Sequence, residues 1–225
     1  MCAKIIKLQR KIFLVNFFVI GNGESRRDFD LNKLNKFTTY GCNAIFRDYT
    51  VDVLVCKDLN ITEELYQSDY LMTNTAYTFP EVRTFILNKY QDEVSKKNMN
   101  LLPIPNINTH IHYYAGLQAL TMAVKQKPDN IFILGFDMTN RDDNKFNNVY
   151  KDTNAYKTKE DEGPAYVKER KQFISLIDKN RDHTNYFYVL PKEYQIKHSG
   201  PLTESILTNK QNYSVITYNQ LGAHI

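Results

Sequence analysis

Several short stretches of the 225-residue chain gather small, amide and carboxylate side chains that could do chemistry. They are Gly21-Asn22-Gly23-Glu24-Ser25, Gly41-Cys42-Asn43, Lys57-Asp58, the single Asn74, and Gly135-Phe136-Asp137. Glycines let a backbone come close to a phosphate, and exposed N–H groups can then cradle it. Asparagine offers both a donor and an acceptor, which suits a base edge or a ribose hydroxyl. Each residue also has a plainer use. Gly21 and Gly23 lack the third glycine of a dinucleotide fingerprint and fit an ordinary strand-to-helix turn. Asn43 and Asp58 suit helix caps, and Asp137 suits a carboxylate that orders a loop.

Other groups are weaker. His110 and His112, two residues apart, would share one face of a strand, but no third ligand follows at metal spacing. His112 and Tyr113 remain candidates for chemistry near the mouth of a sheet, beside the plainer reading of a structural histidine. Asp28-Phe29-Asp30 fits a D-x-D metal and sugar-nucleotide pattern, one that recurs by chance. Cys42 has no base visible nearby. Neither a G-x-S-x-G elbow nor a P-loop occurs in the chain.

The elements that must hold these residues alternate between strands and helices. Ile12–Ile20 is β-rich and apolar apart from Asn16, as a strand buried on both faces should be. Residues 25–37 suit short helical pieces, Thr38–Tyr40 a second strand, and Val51–Cys56 a third. Ile61–Ser68 suits a short helix, Tyr70–Asn74 a fourth strand, and residues 78–94 a helix with Pro80 near its start. Leu101–Ile107 reads as extended. His112–Lys125 is the clearest amphipathic helix, with Leu117, Leu120, Thr121 and Val124 on one face. Asn130–Phe136 is another buried strand. Met138–Thr158 is polar with little to pack, long enough for a mobile functional loop. Glu162–Lys179 reads as a charged helix with Ala165, Phe173, Ile174 and Ile177 on its apolar side. Asn185–Pro191 is a last strand, followed by a late apolar run over Tyr213–Leu221. This order predicts an α/β fold, Rossmann-like, with a mostly parallel sheet covered by helices on both faces. It reads as one domain, 1–225, with a polar loop at 138–158 and a C-terminal extension at 192–225. In such a sheet ligands sit beyond the carboxyl ends of the strands, where the stretches above fall.

Composition narrows the class. Hydrophobic residues make up 42% and charged residues 24%, an ordinary globular mix. The net charge of +4 is too mild and too interspersed to imply nucleic acid. Three cysteines without a C-x-x-C pair argue for a reducing compartment, hence a cytoplasmic location. The apolar N-terminal run is broken by Asn16, is too short to span a bilayer, and leads into GNGES rather than a cleavage site. The abundance of Asn, Lys, Tyr and Ile without Trp suits an AT-rich, viral genome.

The combination FFVIGNGESRRDFDL, YGCNAIF and NIFILGFDM resembles the bacterial sialyltransferases of glycosyltransferase family 42. Those enzymes have a first strand ending in a Gly-Asn-Gly-Pro-Ser loop, then Arg-Cys-Asn, a Ser-Gly helix, and a strand ending Gly-Ile-Asp-Phe. The likeness extends to the wider Gly-x-Gly-Pro-Ser-loop group and to similar phage reading frames, and it covers roughly Phe17 to Asp137. It implies a nucleotide-sugar donor as substrate, held by Gly21, Asn22, Gly23, Ser25, Asn43, Gly135 and Asp137. It also places His112 where the family has a functional arginine, with Gly116 in place of the family's Ser-Gly glycine; the expected catalytic positions are His112, Tyr113 and Asp58, with no metal or other cofactor required. The chain departs from the pattern in having Glu24 for the loop proline, Lys57-Asp58 for an asparagine, and no histidine between Asp137 and Asp182.

The expected function is therefore a nucleotide-dependent transferase of the sialyltransferase-like type. Its partner would be a nucleotide or nucleotide sugar, with neither a membrane span nor nucleic acid, and with homo-oligomer formation open. The alternative is a non-catalytic nucleotide or ligand binder, or a phage structural or host-interaction protein on the same fold.

Overall fold

The computed structural model describes residues 14–91, 96–105, 114–193 and 212–225. His110, His112, Tyr113 and His198 lie outside the described residues. Eight strands form one sheet in the order β5-β4-β3-β2-β1-β6-β7-β8, and every pairing is parallel. They are β1 (Asn16–Ile20), β2 (Thr38–Cys42), β3 (Val53–Cys56), β4 (Ala76–Thr78), β5 (Leu101–Pro103), β6 (Asn130–Leu134), β7 (Asn185–Leu190) and β8 (Tyr213–Thr217). The helices are α1 (Leu59–Gln67), α2 (Tyr70–Thr73), α3 (Pro80–Lys89), α4 (Lys96–Asn100), α5 (Ala115–Lys125), α6 (Val167–Lys179) and α7 (Tyr218–Leu221). The expected Rossmann-like α/β fold is what the chain adopts.

The pleat divides the core in two. Phe18, Ile20, Leu54, Cys56, Phe132 and Leu134 point to one face, where Ile61 and Leu65 of α1, Ile86 of α3 and Leu221 of α7 pack. Phe18, Phe132 and Phe187 stack across β1, β6 and β7 with ring centroids 4.9 and 4.8 Å apart. Val19, Tyr40, Cys42, Val55, Ile131 and Ile133 point to the other face, under α5 and α6. Helix α5 buries Leu117, Leu120, Thr121 and Val124 as its periodicity predicts. Pro80 opens α3, where its missing N–H costs nothing.

Three expectations need correction. Tyr70–Asn74 is not a strand: it forms α2, and the strand follows at Ala76–Thr78. Local side-chain bonds decide this, since Tyr70 N donates to Ser68 Oγ and Asn74 Nδ2 donates to Tyr70 O, closing a helical turn. Helix α6 begins at Val167, so Ala165 lies in the exposed segment before it. The end of the 192–225 extension is part of the sheet, because β8 pairs with β7 from Tyr186↔Tyr213 to Leu190↔Thr217. Among the described residues no helix is long and apolar enough to cross a membrane.

Candidate functional site

The strand order reverses between β1 and β6. After β1 the chain builds outward through β5, then returns to lay β6 against the other side of β1. At such a switch point the connections leave in opposite directions and open a crevice beyond the strand ends. A cleft with about 710 Å³ of empty space out to solvent lies there. Its wall includes Gly21, Asn22, Gly23, Asn43, Gly135 and Asp137, all anticipated from the sequence.

The floor is built by a close meeting of the ends of β1 and β6. Gly21 N donates to Leu134 O and Gly23 N to Gly135 O, each at 2.8 Å. A Cβ on Gly21 would sit 2.3 Å from Gly135 O, and one on Gly23 2.4 Å from Asp137 Cγ. Gly135 itself has φ +65, a left-handed conformation that glycine adopts without strain. Asp137, 5% exposed, accepts from Ser25 N at 3.0 Å and from Ser25 Oγ in a short bond. Glu24 N donates to Asn147 Oδ1 at 2.9 Å. The N–H groups of Gly21, Gly23, Glu24 and Ser25 are thus engaged within the fold, and a phosphate cradle at these four positions would have to displace those bonds. Ser25 and Asp137 hold the loop to the end of β6, with Asp137 also in the cleft wall.

Asn22 and Asn43 tie neighbouring strand ends together. Asn22 Nδ2 donates to Cys42 O at 3.0 Å, while Asn22 Oδ1 accepts from Arg26. Asn43, held at φ +48, accepts from Lys57 N and donates to Asp58 Oδ2, both at 3.1 Å. Asp58 is exposed, precedes α1, and does not line the cleft. Glu24 also stays out of the cleft wall, with its carboxylate paired to Arg27 and Lys151, so it does not oppose an anion there.

The opposite wall is the start of α5. Ala115, Gly116 and Leu117 line the cleft, and the first intrahelical bond runs from Gln118 N to Tyr114 O. Among the described residues no side chain caps this helix. The start of the helix, the positive end of its dipole, thus borders the cleft, an arrangement suited to an anion. Gly116 keeps the approach open, with Phe136 already 3.3 Å from where its Cβ would be.

The rest of the wall includes Tyr114, Met138, Asn147, Asn148, Tyr166 and Glu169, none of them expected as site residues from the sequence. Glu169, in the first turn of α6, is 5% exposed. Burial, together with that neighbouring carboxylate, pushes the Tyr114 phenol up to about 12. Tyr166, at φ +53 just before α6, is pushed higher still by burial and by the charges of Asp137 and Glu169. Both phenols stay protonated at neutral pH and can donate. Cys42 lies in the same wall, but burial pushes its thiol up to about 12, so it is no nucleophile.

The 138–158 segment is a wall and not a loose lid. Val149 N donates to Asn22 O at 2.9 Å. Tyr150, 5% exposed, accepts from Arg26 at 2.9 Å and donates to Asp48 at 2.7 Å. Arg47 donates to Thr153 Oγ1 and Asn154 O and stacks over Tyr150 and Tyr156. Arg26, almost fully buried beneath the first loop, also donates to Gly21 O at 2.7 Å. Tyrosines supply the packing that the polar sequence hid.

Asp28 and Asp30 lie outside the cleft wall, and Asp30 caps the short turn Leu31–Leu34. Exposed His183 precedes β7, at the sheet end opposite the cleft. Among the described residues no group of three or more His, Cys, Asp or Glu side chains could hold a metal. Compared with family models, with curated proteins and with solved structures, the chain matches none of them.

Proposed function

We propose that the protein binds a nucleotide or nucleotide sugar in the β1/β6 cleft and acts as a nucleotide-dependent glycosyl transferase. The observation that carries the reading is the coincidence, at one topological switch point, of the glycine-floored cleft and the start of α5, which no described side chain caps. The α5 N–H groups would take the phosphate, a role the sequence reading gave to the first loop. Asn147, Asn148 and Tyr166 would meet the sugar or base with donors and acceptors. Tight grip on the leaving phosphate is what a glycosyl transfer needs, since negative charge grows there in the transition state.

The test is isothermal titration of the full chain with CMP, UDP, GDP, ADP and their sugar conjugates, with and without Mg²⁺. Saturable binding of at least one, tighter for the sugar conjugate than for the free sugar, supports the reading. Heat indistinguishable from dilution for every member of the panel contradicts it.

A further inference from the structure

We propose that Glu169 is the catalytic base of the transfer, held in place by Tyr114; this rests on the reading of the cleft as a nucleotide-sugar site. The helix pattern is the first observation. Helix α6 buries Glu169, Phe173, Leu176 and Ile177, which share one stripe at i, i+4, i+7 and i+8. The last three pack into the core under the sheet, as such a stripe should. Glutamate is almost never fully buried without a reason, and packing offers none for it at this position.

Position supplies the second observation. Glu169 lines the cleft together with Gly21–Gly23 and Ala115–Leu117. The Tyr114 phenol neighbours the Glu169 carboxylate, and Lys57 Nζ lies 5.7 Å from the Tyr114 ring centroid. Tyr114 and Tyr166, whose phenols both feel the Glu169 charge, share the wall with it. Asp137, the other cleft carboxylate, has both oxygens engaged by Ser25. Arg170 Nε donates to Met138 O at 2.9 Å, which directs that cation to the backbone. Glu169 is thus the carboxylate of this wall that an incoming hydroxyl can meet.

The step balances without a further reactant. The acceptor O–H gives its proton to the Glu169 carboxylate while its oxygen forms a bond to the anomeric carbon of the donor. The bond from that carbon to the phosphate oxygen breaks, and the electron pair leaves with the nucleotide at the start of α5. Water takes the acceptor's place in the slower hydrolysis, so the base can be assayed before an acceptor is known.

The experiment follows nucleotide release from CMP-N-acetylneuraminate, UDP-glucose and GDP-mannose by the full chain, alongside titration of the same compounds. Glu169→Gln keeps an acceptor for Tyr114, so the fold and the titrated affinity stay as they are. Its kcat falls about 10²-fold or more, within the range of a lost general base, at unchanged KM. Glu169→Asp recovers part of the rate, and Tyr114→Phe, a positioning change, lowers kcat less than Glu169→Gln does. A Glu169→Gln protein that binds and releases nucleotide like wild type overturns the proposal. Wild-type binding without release from any donor overturns the catalytic role but spares the binding site. Absence of wild-type binding removes the cleft reading and this proposal together.

Discussion

At the residue scale, the floor of the cleft depends on contacts too close for any side chain but hydrogen. Gly23→Ala would drive a methyl into the Asp137 carboxylate, and overpacking of this kind costs about 1–3 kcal/mol. The expected loss for a domain this size is roughly 2–12 °C in Tm. Ser25→Ala removes one of the two bonds that Ser25 gives the buried Asp137 carboxyl, and should cost about 1–3 kcal/mol. Calorimetry on the two variants checks both values, and unchanged melting would contradict the account of the floor. Asp137→Ala is for the same reason a poor probe of function, because it would release the loop as well as any ligand. Cys42 offers a pH test. Its thiol titrates near 12 in the fold but near the ordinary value of 9.0 when unfolded, so the unfolded chain sheds that proton first. Stability should then fall as pH rises above about 9, by at most about 1.4 kcal/mol per pH unit from this group. Cys42→Ala should flatten that slope in denaturant titrations at pH 9 and 10, and an identical slope would contradict it. The glycines, asparagines and Asp137 were legible because strand ends in a parallel sheet collect functional residues. Glu169 was hidden among the charges of VKERK. Its position on the Phe173–Ile177 stripe becomes visible only once the helix is known to begin at Val167 and not at Glu162.

At the element scale, the polar stretch after β6 carries the lesson. Its composition suggested a mobile loop, yet Tyr150 and Tyr156 sink into a nest of Arg26, Arg47 and Asp48. Two tyrosines scattered in a mostly polar stretch leave little trace in a hydrophobicity pattern, and their partners lie about a hundred residues away. Arg26→Ala should unfasten this wall while leaving the sheet paired. Limited proteolysis should then cut the variant between residues 138 and 165 at a rate at which wild type stays intact. Equal resistance would show that the segment is held by other contacts. The strands were legible because two buried faces demand near-continuous apolar runs. Helix α2 was not, since its four residues are too few to show a period and are decided by Ser68 and Asn74.

At the scale of the whole molecule, sequence order predicted the fold class but not the strand order that creates the site. Parallel strands with alternating helices fit several doubly wound orders, and only the return of β6 to the free side of β1 locates the crevice. The late run at Tyr213–Thr217 extends that sheet by one edge strand, so the chain end belongs to the fold. The central claim is that a nucleotide occupies the switch-point cleft against the start of α5. The direct measurement is thermal unfolding of wild type and Gly116→Leu across the nucleotide panel, since a side chain at 116 would fill the cleft from the helix side. A ligand at about a hundred times its dissociation constant should stabilise wild type by roughly 2.7 kcal/mol. That is about 5–11 °C for a domain of this length. The account predicts this shift in wild type and its loss in Gly116→Leu. A shift of equal size in both proteins, or none in wild type, would contradict it.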